Sequence, residues 1–441
     1  MAGDLAEMVK KAGVIGAGGA GFPTHVKVAA RAEYVIANGA ECEPLLRVDQ
    51  QLMIRYAPEL IRGVELVREA VGAKRAIIGL KKKYRKAVDA LRAEIAGQAS
   101  PVELFLLGSY YPAGDEQVLV SEVTGRLVPE GGLPLDVGVV VSNVGTLINV
   151  CRAEEGIPVT HRFLTVAGEV KKPITLSVPV GALVEDVITA AGGATAEEYR
   201  VLDGGPVMGS FTSGQVTKKT TGLIVLPSDH KQVLYKERPL EIDIKKASWA
   251  CDQCRYCTDY CPRYLLGHRM EPHIIMRLVG QQRWDNIPRQ HLAEAYLCCQ
   301  CGVCGMYACP LTLSPDRVIA SLLGVMKEKG AEEILRRADF SPHPFRDGRR
   351  IPVSRLAARI DVLKYENDAP LREEPLRVSR VRIPLRQHVG APCEPLVQRG
   401  EKVEVGRMIG DVPEGALGAP VHASISGTVE RIFDDSILIR S

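Results

Sequence analysis

Between Cys251 and Cys309 the chain gathers nine of its 12 cysteines into 59 residues. They form two runs of nearly the same design. The first is Cys251-x2-Cys254-x2-Cys257-x3-Cys261-Pro262; the second is Cys298-x2-Cys301-x2-Cys304-x4-Cys309-Pro310, with Cys299 in addition. Three thiolates at this spacing wrap one corner of an iron–sulfur cube, and the more distant Cys-Pro ligand crosses to the partner cluster. The spacing therefore predicts one [4Fe-4S] cluster on Cys251, Cys254, Cys257 and Cys309, and another on Cys298, Cys301, Cys304 and Cys261. The x4 gap before Cys309 departs from the usual x3, and Cys299 competes with Cys298 as a ligand. Structural zinc, the rival reading, favours two CxxC pairs over tight triplets. Disulfides suit secreted chains, and nothing marks this one as secreted.

A chain of 441 residues predicts roughly two to four domains. With 56 Lys and Arg, 53 Asp and Glu and a net charge of +3, there is no electrostatic case for nucleic acid. The opening MAGDLAEMVKK is amphipathic and unlike an export signal. No apolar run approaches the length of a membrane span. A soluble protein of the reducing cytoplasm is expected.

Hydrophobic periodicity divides the rest. Residues 1–157 alternate strand and helix patterns. EYVIANG, RAIIGL, VELFLLG and DVGVVVSN read as strands. PELIRGVELVREAVG, stopped by Gly72, and KKKYRKAVDALRAEI read as helices. That alternation predicts an open, mostly parallel α/β sheet. Residues 158–240 hold short strands around one helix, VEDVITAAGG, a small module of β-grasp type. Residues 241–332 form a mostly helical cluster domain. Its last helix starts at Ser314-Pro315-Asp316, with serine as cap and proline in the first turn, and runs to Gly330. The charged stretch 333–375 reads as a linker or draping segment. Residues 376–441 predict a barrel-sandwich module. Lipoyl and biotinyl carriers share that architecture but need a lysine at the hairpin tip; HASISGTV has none, so no covalent cargo is expected. The fold class is thus multidomain, α/β plus β.

Gly16-x-Gly18-x-x-Gly21 matches the dinucleotide fingerprint, a weak signal alone, and a tight turn without ligand is the alternative. It gains weight from company. Loops rich in small or polar residues follow four strands, and ligands of open α/β sheets sit beyond the strand carboxyl ends. Glycine-rich backbone at a helix start presents amides to phosphate, Lys27 adds charge, and Asn38 and Asn143 offer amides to a ring edge. Asp115 and Glu116 also read as ordinary first-turn acids. Cys42, Cys151 and Cys393 are isolated and read as small buried residues. His268 and His273, flanking the first run, read as solvated or supporting residues rather than ligands.

Taken together, GAGGAGFPTHVK, NGAECEP, YYPAGDEQ and SNVGTLINV, with both cysteine runs, resemble the flavoprotein subunit of respiratory complex I. They resemble more closely the Rnf-complex C subunit and the cobalamin reductases of propanediol-utilisation microcompartments. The barrel-like segment lies at the C-terminus, as in the cobalamin reductases, whereas the Rnf protein has it at the N-terminus. The resemblance implies a Rossmann-like domain binding FMN. By motif position Gly16, Gly18, Gly19, Lys27, Asn38, Glu41, Tyr111, Asp115, Asn143 and Thr146 line the flavin. Phe22, Glu43 and Glu116 face NADH, with Glu116 the candidate nearest the hydride chemistry. Two departures stand out: Ala40 replaces an acid, and Val28 and Ala29 stand where an aromatic helps sandwich NADH. The middle module is similar to a soluble-ligand-binding β-grasp domain. The implied function is an oxidoreductase passing electrons from NADH through FMN and two [4Fe-4S] clusters to a corrinoid. The implied partners are that corrinoid or an adenosyltransferase carrying it, the shell of a microcompartment, or other redox proteins. An Rnf-like relay subunit is the alternative, and a zinc-bound scaffold is the third reading.

Overall fold

The computed structural model describes residues 2–281, 288–328 and 336–441. The first lobe contains the strands β1 (Tyr34–Gly39), β2 (Arg75–Lys81), β3 (Glu103–Leu107), the two-residue β4 (Tyr110–Tyr111) and β5 (Val139–Asn143). All but β4 form one parallel sheet in the order β3-β2-β1-β5. The central strands are apolar without alternation because both faces are covered. On one face Val35, Ala37, Ile78 and Leu80 pack under the helices Ala57–Val71, Arg85–Gln98 and Val144–Glu154. On the other, Ile36, Val139 and Val141 pack under Leu119 of the helix Glu116–Thr124.

The helix Ala57–Val71 buries Leu60, Ile61, Val64, Val67 and Val71, a 3.6-residue repeat, and stops at left-handed Gly72. Its Gly63 lies against the helix Val144–Glu154, where a Cβ would sit 2.0 Å from the Leu147 carbonyl oxygen. The next helix starts at Arg85, later than the KKKYRKAVDALRAEI pattern predicts. Lys81 still belongs to β2, and Tyr84 turns the chain with its hydroxyl donating to the Glu41 carbonyl at 2.8 Å.

The second lobe is a five-stranded mixed sheet of β6 (His161–Gly168), β7 (Ile174–Pro179), β8 (Tyr199–Asp203), β9 (Ser210–Phe211) and β10 (Gly222–Pro227), in the order β7-β6-β10-β8-β9. β6 and β10 run parallel and the other pairs antiparallel. Alternate residues of β10 serve two cores, as strand geometry requires. Leu223 and Val225 meet the helix Val184–Ala190. Ile224 and Leu226 enter a junction core with Leu45, Leu46 and Tyr111 of the first lobe, Val303 and Met306 of the cysteine-rich lobe, and Ile351 and Leu356.

The cysteine-rich lobe is helical, as expected, and its long helix Pro315–Glu328 follows a fully buried Ser314. The expected helix end at Gly330 and the 332/333 boundary lie outside the described residues. From 336 to 375 the chain is no free tether. Ile351 pairs with Tyr111 of β4, and the helix Val353–Arg359 buries Leu356 and Ala357. The arginines that make this stretch look solvated are paired: Arg346 and Arg350 with Glu122 at 2.7 and 2.8 Å, Arg337 with Glu130 at 2.9 Å. The described part of this stretch, expected as a linker or draping segment, is thus packed and ion-paired against the other lobes.

At the C-terminus two antiparallel sheets face each other. The strands Arg380–Pro384, Ser436–Arg440, Gly427–Ile432 and Lys402–Val403 form one; Glu394–Pro395, Met408–Asp411 and Val421–His422 form the other. Val381, Ile383, Ile409, Val421, Val429, Ile437 and Ile439 fill the space between. Buried Lys218 of the second lobe donates to the carbonyls of Gly13 (2.7 Å) and Pro420 (2.8 Å), joining three lobes; burial lowers its pKa to about 7. Among the described residues no helix is long and apolar enough to cross a membrane.

The Gly63 contact makes a prediction. Gly63→Ala forces backbone against backbone and should cost about 1–3 kcal/mol, read as a lower first melting transition. Gly97→Ala, where nothing lies within 4 Å of the new Cβ, should leave that transition in place or raise it. A Gly63→Ala protein as stable as the parent would contradict the packing.

Candidate redox site

The two cysteine runs fold alike. In the first, Gln253 and Arg255 have φ of +53° and +67°; at the same offsets in the second, Gln300 and Gly302 have +52° and +70°. Left-handed backbone is costly for residues other than glycine, so its repetition marks a loop shaped for a purpose. The turns bring the thiols of each triplet round one centre. Gln253 Nε2 lies 3.2 Å from Cys251 Sγ, and the Gln300 amide lies 3.3 Å from Cys298 Sγ.

Two recesses result, each lined by cysteines of both runs. Cys251, Cys254, Cys257 and Cys309 line one of about 370 Å³, with His273 and Met276. Cys261, Cys298, Cys301 and Cys304 line the other, of about 310 Å³, with Cys299 and Asp316. The longer x4 gap is absorbed by a wide turn: Val303–Ala308 is π-helical and the Cys309 amide donates to the Cys304 carbonyl five residues back, at 3.1 Å. One extra residue is what a π turn accommodates, so Cys309 still reaches the first recess.

The donor set fits a cluster. Burial, together with neighbouring thiols, pushes Cys257 and Cys261 up to about 12. Thiolates there need the positive charge of metal. Cys254 is exposed, whereas Cys261, Cys301, Cys304 and Cys309 are buried. His268 is buried with Nε2 3.0 Å from the Val128 carbonyl, so the solvated reading fails for it. His273 Nδ1 lies 2.8 Å from Thr258 Oγ1. Of the isolated cysteines, Cys151 and Cys393 are buried as expected and Cys42 is partly exposed.

The glycine loop lies at the carboxyl end of the parallel sheet. Gly16 closes it by donating to the Phe22 carbonyl (2.8 Å), and Phe22 itself is half-buried. The Ala17 amide donates to Thr146 Oγ1 at 2.8 Å. Gly18 lies beside Asn143, whose Cβ is 3.5 Å from where a Gly18 Cβ would be. Asn143 caps the helix that follows β5 through the Gly145 amide (2.9 Å) and donates to Asp49 at 2.8 Å. Asn38 donates to the Gly114 carbonyl (2.9 Å) and accepts from the Ala40 amide (3.2 Å). Lys27 donates to the Val141 carbonyl (2.8 Å) and pairs with Glu116 at 3.2 Å. Among the described residues, the amides of Gly18, Gly19 and Ala20 donate to no protein acceptor. Free amides on a glycine turn suit a phosphate, so this crevice fits a flavin nucleotide.

Some expected ligands are engaged elsewhere. Glu41 accepts from the Asp49 amide and Gln50 Nε2, both at 2.8 Å, and so caps the helix Val48–Arg55. Burial raises the pKa of Glu41, and burial with the Glu41 charge raises that of Asp49 to about 7. Glu43, expected at the nicotinamide, accepts from the Val207 and Met208 amides (2.9 Å each), and its carboxylate lies 3.2 Å from the Tyr111 hydroxyl oxygen. Its carboxylate ties the first lobe to the second. Of the positions lacking the expected acid and aromatic, Ala40 and Val28 are fully buried and Ala29 is exposed.

Two contacts bind this crevice to the second recess. Tyr111 donates to the Cys301 carbonyl at 2.8 Å. Asp115 caps the helix Glu116–Thr124 and also takes both guanidinium nitrogens of Arg263 at 2.5 and 2.9 Å, two residues beyond Cys261. The first-turn-acid reading of Asp115 is therefore right but incomplete. Arg263, Arg162, Asp49 and buried Lys81 (pKa lowered to about 8 by burial) are absent from the expected site. Arg162 had a signal: it shares strand parity with Leu164 and Val166 and so faces a buried side. Arg263 had none, since nothing in the spacing of Cys261-Pro262 marks the next residue.

Four family models match the chain: the Nuo51 FMN-binding domain over 9–152, the SLBB domain over 163–211, a 4Fe-4S dicluster domain over 250–314 and the RnfC barrel sandwich hybrid domain over 362–439. The chain is therefore multidomain and of mixed α/β structure, and it carries FMN-binding and 4Fe-4S domains. Cobalamin reductase PduS of Salmonella typhimurium is 42% identical over 99% of this chain and 96% of its own. The Citrobacter freundii protein of that name is 43% identical with the same coverage. A component of the Na(+)-translocating ferredoxin:NAD(+) oxidoreductase complex of Acetobacterium woodii is 35% identical over 64% of this chain and 61% of its own.

Cys298 and Cys299 both line the second recess, and the repeated loop conformation distinguishes their offsets. Cys298 occupies the offset that Cys251 holds in the first run, so Cys298→Ala should lose about half the iron bound by the parent. Cys299→Ala should keep it. Iron analysis of anaerobically purified variants checks both, and the opposite pattern would reverse the ligand assignment.

Proposed function

Since this chain belongs to the cobalamin reductase PduS family, we propose that it takes electrons from NADH and delivers them, through FMN and two [4Fe-4S] clusters, to a corrinoid. One observation carries the reading: Tyr111 and Asp115, on the loop expected at the flavin, touch Cys301 and Arg263 beside the second recess. A bound flavin exchanges two electrons as hydride with a nicotinamide and single electrons with a cluster.

The chain's own contribution is placement. Gly16, Gly18 and Gly19 bring backbone close to a phosphate, and Thr146 holds their turn. Asn38, Asn143 and Lys27 fix the floor, each tied to a backbone carbonyl or a helix cap. Tyr111 and Asp115 hold the crevice against the cluster lobe with buried hydrogen bonds, so the separation of the two redox sites does not drift. Phe22 and Glu116 remain the residues proposed to face the nicotinamide. Glu43 we reassign to joining the lobes. Cys251, Cys254, Cys257 and Cys309 are proposed to hold one cluster, and Cys261, Cys298, Cys301 and Cys304 the other.

The sheet order β3-β2-β1-β5 supports a Rossmann-like reading of residues 1–157, and the mixed five-stranded sheet with one covering helix supports a β-grasp reading of 158–240. The two facing C-terminal sheets support a barrel sandwich without covalent cargo. The corrinoid arrives free or on an adenosyltransferase, and the proposed setting is the cytoplasm, inside a microcompartment. A second reading, a relay protein handing electrons to another redox protein, draws support from the likeness to the Acetobacterium woodii component.

Anaerobic incubation of the purified protein with NADH and cob(III)alamin should reduce the corrinoid, and removal of flavin should abolish that reduction. Inactivity toward free corrinoid with activity toward a redox protein would instead select the relay. Cys254→Ala should retain flavin, lose one cluster and lose corrinoid reduction. Full corrinoid reduction by that variant would remove the first recess from the path.

A further inference from the structure

The glycine loop is enclosed from outside its own lobe. Residues 217–220 of the second lobe, Thr-Lys-Lys-Thr, lie across it. The Thr220 carbonyl accepts from Arg162 Nε at 2.7 Å, and Arg162 Nη2 donates to the Ala17 carbonyl at 2.6 Å. Thr146 already holds the Ala17 amide, so this peptide is fixed at both ends. The amides that follow, of Gly18, Gly19 and Ala20, remain without protein acceptors among the described residues. Gly19 has φ of +112° and nothing within 4 Å of its Cβ position, so the loop borders open space there.

Lys219 crosses the end of the same loop. A Cβ on Gly21 would sit 2.7 Å from Lys219 Cδ and 3.1 Å from Cγ, so the stem passes over Gly21 because that residue has no side chain. Lys219 is exposed, and among the described residues its ammonium makes no hydrogen bond or ion pair. Lys218 beside it is buried and spent on two carbonyls. The barrel approaches from the third side: the Val389 amide donates to the Gly21 carbonyl at 3.0 Å, and Arg386, three residues earlier, is exposed. The carboxylate Asp203 nearby accepts from Thr220 Oγ1 at 2.8 Å.

An exposed lysine whose stem crosses a turn of free amides makes a phosphate site whose two walls come from different lobes. We propose that Lys219 is a phosphate-binding residue, holding with the Gly18–Ala20 amides the phosphoryl group of a nucleotide at the lobe junction. The proposal rests on the reading that the glycine loop serves a bound nucleotide, and it adds that the second lobe supplies the charge. The phosphoryl group is that of FMN or that of the dinucleotide donor; the chemistry recognised is the same.

The test uses the full-length protein freed of flavin, titrated with FMN, riboflavin and ADP-ribose. A charge-assisted hydrogen bond is worth about 1.5–3 kcal/mol, so its loss weakens binding about tenfold or more. If FMN is the ligand, Lys219→Ala weakens FMN by that factor and spares riboflavin. If the dinucleotide is the ligand, both flavins are unaffected and ADP-ribose weakens instead. Lys219→Arg keeps parental affinity in either case. Unchanged binding of FMN and ADP-ribose in Lys219→Ala overturns the proposal. Equal weakening of FMN and riboflavin also overturns it, since that marks lost packing rather than lost phosphate recognition. A parent protein that binds no flavin refutes the underlying reading instead.

Discussion

A four-iron cube needs a thiolate at each of its corners, and a short loop of chain supplies three. The fourth has to come from elsewhere, and in this protein the other run places a cysteine beside each triplet. Cys309 closes the recess begun by Cys251, and Cys261 closes the one begun by Cys298. The lobe is therefore knotted by chemistry: neither recess is complete until both runs are in place. Helices packed on Ile275, Val279, Val318 and Leu322 hold the runs together, and a π turn makes up the difference in their lengths.

Around that lobe, the other domains are arranged by a shared core more than by tethers. Leu45, Tyr111, Ile224, Val303 and Ile351 come from five separate stretches and pack together. Burying such a surface favours association without specifying it. Specificity comes from polar contacts within or beside it: the Tyr111 hydroxyl on the Cys301 carbonyl, the Asp115–Arg263 pair, and Glu43 on the Val207 and Met208 amides. A half-satisfied group in this setting would be costly, so these contacts fix one arrangement of crevice and recess. The glycine loop stands at a similar meeting point, held by Thr146, Arg162 and the barrel.

What was legible in the sequence follows from how local the information is. The cysteine runs repeat a spacing, and spacing survives folding, so two cysteine-lined recesses could be read in advance. The parallel sheet was legible because buried strands are written as unbroken apolar runs. The contacts of Glu43 to the Val207 and Met208 amides were not legible, because a carboxylate in a motif loop looks the same whether it meets a ligand or a neighbouring domain. The charged stretch 333–375 read equally as linker or draping segment, because the partners of its arginines, Glu122 and Glu130, lie more than 200 residues away. Arg263 and Lys219 were silent for the same reason: each acts across a lobe boundary that no local pattern encodes.

The account stands on the crossing of the thiols. Diffraction from anaerobically grown crystals, recorded at the iron absorption edge, tests it most directly. Two separate four-iron clusters are predicted, with Cys309 bound to the one held by Cys251, Cys254 and Cys257, and Cys261 bound to the other. Zinc in place of iron, or each run closing its own cluster without exchange, would contradict it.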